Sequence, residues 1–122
     1  MKRILYVDDE ADIREVAAMS LELETGFEVR CAASGPEAIV EAAAWRPDLI
    51  MLDVMMPGMD GPTTLAELRA APETASIPII FITARTQARE VEGFMALGAI
   101  GVIAKPFDPM QLGSQVRELA FA

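Results

Sequence analysis

One bare carboxylate closes the most apolar run of the chain. In "DLIMLDVMMPGMDG", residues 48–61, Leu49 to Leu52 have the character of a buried strand, and Asp53 ends it before Val54, Met55 and Met56. A second acidic pair, Asp8 and Asp9, follows the apolar start "RILYV"; Thr83 ends "IPIIFIT", and Lys105 follows "IGVIA". Taken singly, these read as a solvated helix entry, a strand-end hydroxyl and a surface charge. Taken together, they are the parts of a phosphoryl-transfer site: a nucleophilic carboxylate, acids for a hard cation, a hydroxyl and an ammonium. That chemistry needs mainly positioning and charge neutralisation. Two unit charges ~4 Å apart repel by roughly 4 kcal/mol at an effective dielectric of ~20. Three carboxylates on one rim therefore call for a cation or a raised pKa.

Composition narrows the alternatives. The 122 residues contain no histidine, which excludes Ser-His-Asp and Cys-His catalysis and the usual zinc sites. A metal here must be held by oxygen, as magnesium, manganese or calcium are. Cys31 is the only cysteine, so no internal disulfide forms, and it reads as a packed thiol on a strand. Ten basic against nineteen acidic residues give a net charge of −9, which argues against a nucleic-acid partner. No apolar run approaches the ~18 residues of a membrane span, and the opening "MKRILYVDDE" lacks the apolar core of a signal peptide. The expectation is a soluble, cytoplasmic protein without membrane contact.

Five apolar segments alternate with five amphipathic ones. The strands are expected at 3–7, 28–32, 49–53, 77–83 and 100–104, several of them apolar at consecutive positions, as parallel strands covered on both faces are. Helices are expected over 11–24, with Ile13, Val16, Ala17, Leu21 and Leu23 at helical spacing; after Ser34, with Glu37 completing a capping box; and from Gly61 to about Ala70, capped by Asp60. A fourth runs from about Thr86 to Leu97 and stops at Gly98, and a fifth starts at Pro109 and carries Leu112, Val116 and Leu119. Strict alternation with right-handed crossovers predicts an α/β, doubly wound (βα)5 unit with a five-stranded parallel sheet. All strands then end on one edge, where such sheets place their sites. In the common order 2-1-3-4-5, strands one and three are neighbours, which gathers Asp8, Asp9 and Asp53 with Thr83 and Lys105 arriving from one side.

The chain resembles the receiver domain of two-component response regulators, single-domain chemotaxis regulators among them, over its whole length. The match lies in "YVDDE", "LIMLDVMMPGMDG", "IPIIFITA" and "IAKPFD" in order. The resemblance implies the flavodoxin-like receiver fold across 1–122 with no output domain. Asp53 would accept a phosphoryl group from a sensor histidine kinase or a histidine phosphotransfer protein. Asp9, Asp53 and the Met55 backbone carbonyl would ligate Mg2+, with Asp8 acting mainly through water. Thr83 and Lys105 would bind phosphoryl oxygens, the Lys105–Pro106 bond would be cis, and Pro57, Gly58 and Gly61 would shape the loop after Asp53. Such a chain is not an enzyme beyond its own phosphorylation and dephosphorylation, and it is a monomer or a phosphorylation-dependent dimer. Partners would dock near the first helix and Pro106–Phe107, with Arg14 and Ala17 as contacts. The readout surface would be the fourth helix, fifth strand and fifth helix.

Two departures stand out. Where the family commonly carries an aromatic, three residues before the lysine, this chain has Val102, so coupling from Thr83 is expected through the fourth helix, whose interior holds Gly93. Met55 and Arg85 occupy the positions that tune phosphoryl lifetime; neither orients a water, so slow self-dephosphorylation is expected. The alternatives are a degenerate receiver that binds partners without phosphate, and an aspartyl-phosphate hydrolase of the haloacid-dehalogenase type. The latter wants a second aspartate where Met55 stands. The methionines at 55, 56 and 59 are expected in loop and core packing.

Overall fold

The apolar runs form the strands β1 (Lys2–Val7), β2 (Phe27–Ala32), β3 (Leu49–Asp53), β4 (Ile79–Thr83) and β5 (Gly101–Ala104). In the computed structural model, which describes residues 1–122, they make one parallel sheet in the order β2-β1-β3-β4-β5. The helices α1 (Ala11–Glu22), α2 (Gly35–Trp45), α3 (Gly61–Ala70), α4 (Ala88–Ala96) and α5 (Leu112–Ala120) alternate with the strands. This is the doubly wound fold with the expected strand order.

The two predicted caps are in place. Ser34 Oγ accepts from the Glu37 N–H at 3.3 Å, and Asp60 Oδ1 accepts from the Thr63 N–H at 2.9 Å. These contacts satisfy donors that the first turn of a helix leaves free. Gly98 ends the α4 region with φ of +108°, a conformation in which a side chain is strained. Some boundaries differ from expectation. β4 begins at Ile79, just after Pro78, which has no N–H to give a ladder. α5 begins at Leu112 and not Pro109, because Asp108 first builds a turn: its carboxylate accepts from Met110 N–H and its carbonyl from Gln111 N–H.

Each face of the sheet has its own apolar cluster. One contains Ile4, Tyr6, Leu49, Met51, Ile80 and Ile82 with Ala17 and Leu21 of α1 and Leu112 and Val116 of α5. The other contains Leu5, Ile50, Leu52 and Phe81 with residues of α2 and α3, and Phe94 of α4 packs against it. Three expected core positions lie outside both. Val16 is 42% exposed, Leu119 is exposed, and Leu23 is 72% exposed because it lies past the end of α1. Cys31 is not a packed thiol: it faces α1, 3.8 Å from the Arg14 carbonyl, yet its place on the edge strand leaves it exposed. Of the three loop methionines, Met56 is buried and Met55 points outward.

Candidate functional site

The strand order sets the site. Asp8 directly follows β1, and its N–H donates to Ala32 O of β2 at 3.2 Å; Asp53 is the last residue of β3. Since β1 and β3 are paired neighbours, their C-terminal ends lie side by side. Side chains alternate along a strand, so Asp8 shares the α1/α5 face with Tyr6, and Asp53 shares it with Met51. One carboxylate oxygen from each of Asp8, Asp9 and Asp53 lies within 4.8 Å of the others. Asp8 is fully buried, Asp53 is 3% exposed and Asp9 is exposed. The three predicted acids therefore converge, two of them inside the protein.

Lys105 balances part of this charge. Its Nζ donates to Asp8 Oδ2 at 3.0 Å and to Asp53 Oδ2 at 3.2 Å, with Glu10 Oε1 at 3.9 Å. The residue is held by its own backbone, since Lys105 N–H donates to Thr83 O at 2.9 Å, and the Lys105–Pro106 peptide bond is cis. Burial works against the ammonium, but its contacts with Asp8 and Asp53 outweigh that and raise the Lys105 pKa. Asp53 responds differently. Burial, then the Asp8 charge, push its carboxyl up to about 6, and attraction to Lys105 and the Met55 amide only partly offset them. One ammonium shared between two buried carboxylates is not enough to neutralise both.

The oxygen-only donor set and its spacing fit a hard divalent cation. Magnesium is bound by one or two carboxylates together with waters and phosphate oxygens. Asp8 is already occupied: Oδ1 accepts from Glu10 N–H at 2.9 Å and Oδ2 from Lys105, while Arg14 Nη1 donates to the Asp8 carbonyl at 2.7 Å. Asp9 and Asp53 carry fewer such contacts and would be the freer ligands.

Thr83 is placed at the rim but is not joined to the acids. It is buried at the end of β4, and its hydroxyl oxygen accepts from Arg85 N–H at 2.9 Å. Arg14 is tied to the Asp8 backbone, and Ala17 is fully buried under the sheet, so Ala17 is no contact point for a partner. The exposed apolar cleft beside Lys105 is lined instead by Ile13, Val16, Pro106, Phe107 and Pro109. Sequence reasoning also passed over Tyr6, whose hydroxyl meets Asp8 Oδ2 at 3.3 Å. The available signal was a lone phenol two residues before an acid in an otherwise aliphatic strand.

Known proteins share this sequence and fold. The family model for the response regulator receiver domain matches residues 4–117. The DNA-binding dual master transcriptional regulator RpaA of Synechocystis is 38% identical over 120 residues, which cover 98% of this chain and 49% of that protein. Response regulator PleD of Caulobacter vibrioides is 44% identical over 119 residues, 96% of this chain and 26% of that protein. The chain thus spans about half the length, or less, of the curated relatives it matches. Among solved structures, the chemotaxis response regulator CheY4 of Vibrio cholerae superposes with a TM-score of 0.89 at 34% identity, covering 98% of both chains. The matched span takes in β1 from Ile4 onward, the other four strands, the acidic cluster and the lysine that bridges it: this chain belongs to the response regulator receiver domain family.

Proposed function

We propose that residues 1–122 act as one receiver unit in which Asp53 is the phosphoacceptor of a two-component or phosphorelay pathway. The observation that carries this reading is the single ammonium of Lys105 set between the buried carboxylates of Asp8 and Asp53, with Asp9 alongside. A carboxylate oxygen of Asp53 would attack the phosphorus of a phosphohistidine; the O–P bond forms as the N–P bond breaks, and the imidazole leaves. Lys105 would follow the new negative charge, leaving Asp8 for Asp53's phosphoryl oxygens, and Thr83 would exchange its Arg85 amide for one of them. Asp9, Asp53 and the Met55 backbone carbonyl would hold Mg2+, which would supply charge neutralisation for the transferred phosphoryl group. No helix is long and apolar enough to cross a membrane. The reading puts the chain in the cytoplasm, where phosphohistidine donors are charged from ATP. The donor, a sensor histidine kinase or histidine phosphotransfer protein, would dock an apolar helix face over the cleft between Ile13 and Phe107.

Incubation with phosphoramidate and magnesium should add one phosphoryl group by intact mass to wild type and none to Asp53→Asn or to an EDTA control. The added group should outlast seconds once donor is removed, because neither the exposed Met55 nor Arg85 presents an acid or amide to a hydrolytic water. No addition to wild type would overturn the reading in favour of a degenerate, phosphate-independent binding module.

The output is proposed to run through α4. This helix buries no residue fully and leans on Phe94, whose ring lies 5.2 Å from Phe81, two residues before Thr83 on the same strand face. Val102 of β5 packs against that same cluster without an aromatic ring of its own. Few buried contacts mean a low cost of local opening, so phosphorylation should change amide exchange across residues 86–97. Exchange there that is the same in both states would contradict this route.

A further inference from the structure

Tyr6 and Asp8 share one face of β1, two residues apart. The phenol is fully buried, within the apolar cluster that includes Ile4, Leu21, Met51 and Val116. A buried phenol needs an acceptor for its O–H, and the one hydrogen bond it makes is to Asp8 Oδ2, at 3.3 Å. At neutral pH a phenol is protonated and acts as an O–H donor to the carboxylate.

Asp8 thus has three side-chain-directed donors: Tyr6 O–H and Lys105 Nζ on Oδ2, and Glu10 N–H on Oδ1. They are not equally permanent. Lys105 is shared with Asp53 at 3.2 Å and is the cation that any anion formed on Asp53 attracts. Once it is drawn away, Glu10 N–H and Tyr6 O–H are the two donors left to fix the Asp8 carboxylate.

We propose that Tyr6 is a positioning residue: its hydroxyl holds the Asp8 carboxylate in the orientation that supports a divalent cation between Asp8, Asp9 and Asp53, whether or not Lys105 is engaged. The inference rests on the phosphoacceptor reading for its purpose, but its content is a cation affinity that can be measured without any phosphoryl donor. Magnesium demands near-ideal geometry, and hydrogen bonds that orient its surrounding acids commonly change affinity ~10–100-fold. The Tyr6 contact is long for an O–H···O bond, so the smaller effect of ~3–10-fold is expected.

Tyr6→Phe keeps the ring in the core and removes only the donor. Magnesium titration calorimetry would be run on wild type, Tyr6→Phe, Asp8→Asn and the double variant, with urea unfolding of each in EDTA. Loss of the hydroxyl should weaken magnesium ~3–10-fold when Asp8 is present and not when Asn replaces it, and the urea midpoints in EDTA report separately what the lost hydrogen bond costs the metal-free fold. In phosphoramidate assays the half-saturating magnesium concentration should rise while the rate at saturating magnesium stays within about twofold. Equal affinity in wild type and Tyr6→Phe, a gain in affinity, or the same loss in both backgrounds would overturn the proposal. So would a wild type that binds no magnesium. A wild type that binds magnesium yet accepts no phosphoryl group would overturn the phosphoacceptor reading alone, and the Tyr6 comparison would still be decided by the calorimetry.

Discussion

Asp53→Asn should melt about 5–10 °C above wild type at pH 7.5 in EDTA, and the difference should shrink to about a third of that at pH 4.5. Charge is the reason. Asp8 and Asp53 are both buried, and Lys105 alone serves them. Burial and the Asp8 charge raise the Asp53 carboxyl from 3.8 to about 6 in the folded chain. A folded pKa above the unfolded one means that the group's stabilising contribution is complete below pH ~4 and is lost as pH rises through about 6. At neutral pH the metal-free protein therefore carries an ionised group that its fold disfavours. Each tenfold shift in proton affinity corresponds to about 1.4 kcal/mol, and relaxation around the site brings the whole effect to roughly 1–3 kcal/mol. Asparagine keeps the shape and removes the charge, leaving Lys105 to Asp8. Saturating magnesium should stabilise wild type more than the variant and so narrow the gap. Thermal melts at the two pH values, with EDTA and with magnesium, check each part. A gap of equal size at pH 4.5 and pH 7.5 would mean that amide packing, and not charge relief, is its source.

The same charges explain why so much of the site could be read from the sequence. A parallel sheet delivers every strand end to one edge, so placing Asp8, Asp9, Asp53 and Lys105 together needed only the apolar runs and the strand order. Ser34 and Asp60 were readable as caps because a side-chain oxygen three residues ahead of a free N–H has a local partner. What escaped depended on tertiary contact. α1 lies along the sheet on a narrow line of Ala17, Ser20 and Leu21, so the wider stripe through Val16 lies partly in solvent, and Leu23 is beyond the last helical turn. The exposure of Cys31 follows from β2 being the outermost strand, which strand periodicity does not encode. The hydroxyl of Thr83 turns to its own loop at Arg85, a rotamer choice with no trace in residue type. Tyr6 was hidden by its strand, because a phenol satisfies the same apolar pattern as its neighbours until the position of its oxygen is known.

Gly61→Ala should damage both the fold and the site, and Gly93→Ala should be its stabilising counterpart. Gly61 opens α3, and its N–H donates to Val54 O at 2.9 Å. A Cβ there would stand 2.6 Å from the Asp53 carbonyl oxygen and 2.9 Å from Val54 Cα. Both neighbours are backbone, so no side chain can rotate away. Either the start of α3 retreats or the end of β3 shifts, and the second choice moves the acceptor itself. Overpacking of this kind costs about 1–3 kcal/mol, at times more, and a displacement near 1 Å at a reacting group can cost on the order of 100-fold in rate. Gly93 lies within α4, where an alanine methyl would meet nothing within 4 Å and φ is not positive. Alanine there should gain about 0.5–1 kcal/mol by the helix preference alone. Urea midpoints and phosphoramidate rates on the two variants separate the effects. Gly61→Ala should lower both, whereas Gly93→Ala should raise the midpoint and leave the rate of phosphoryl addition unchanged. An unaltered rate in Gly61→Ala, with the midpoint lowered, would show that α3 gives way and that β3 holds Asp53 in place without it.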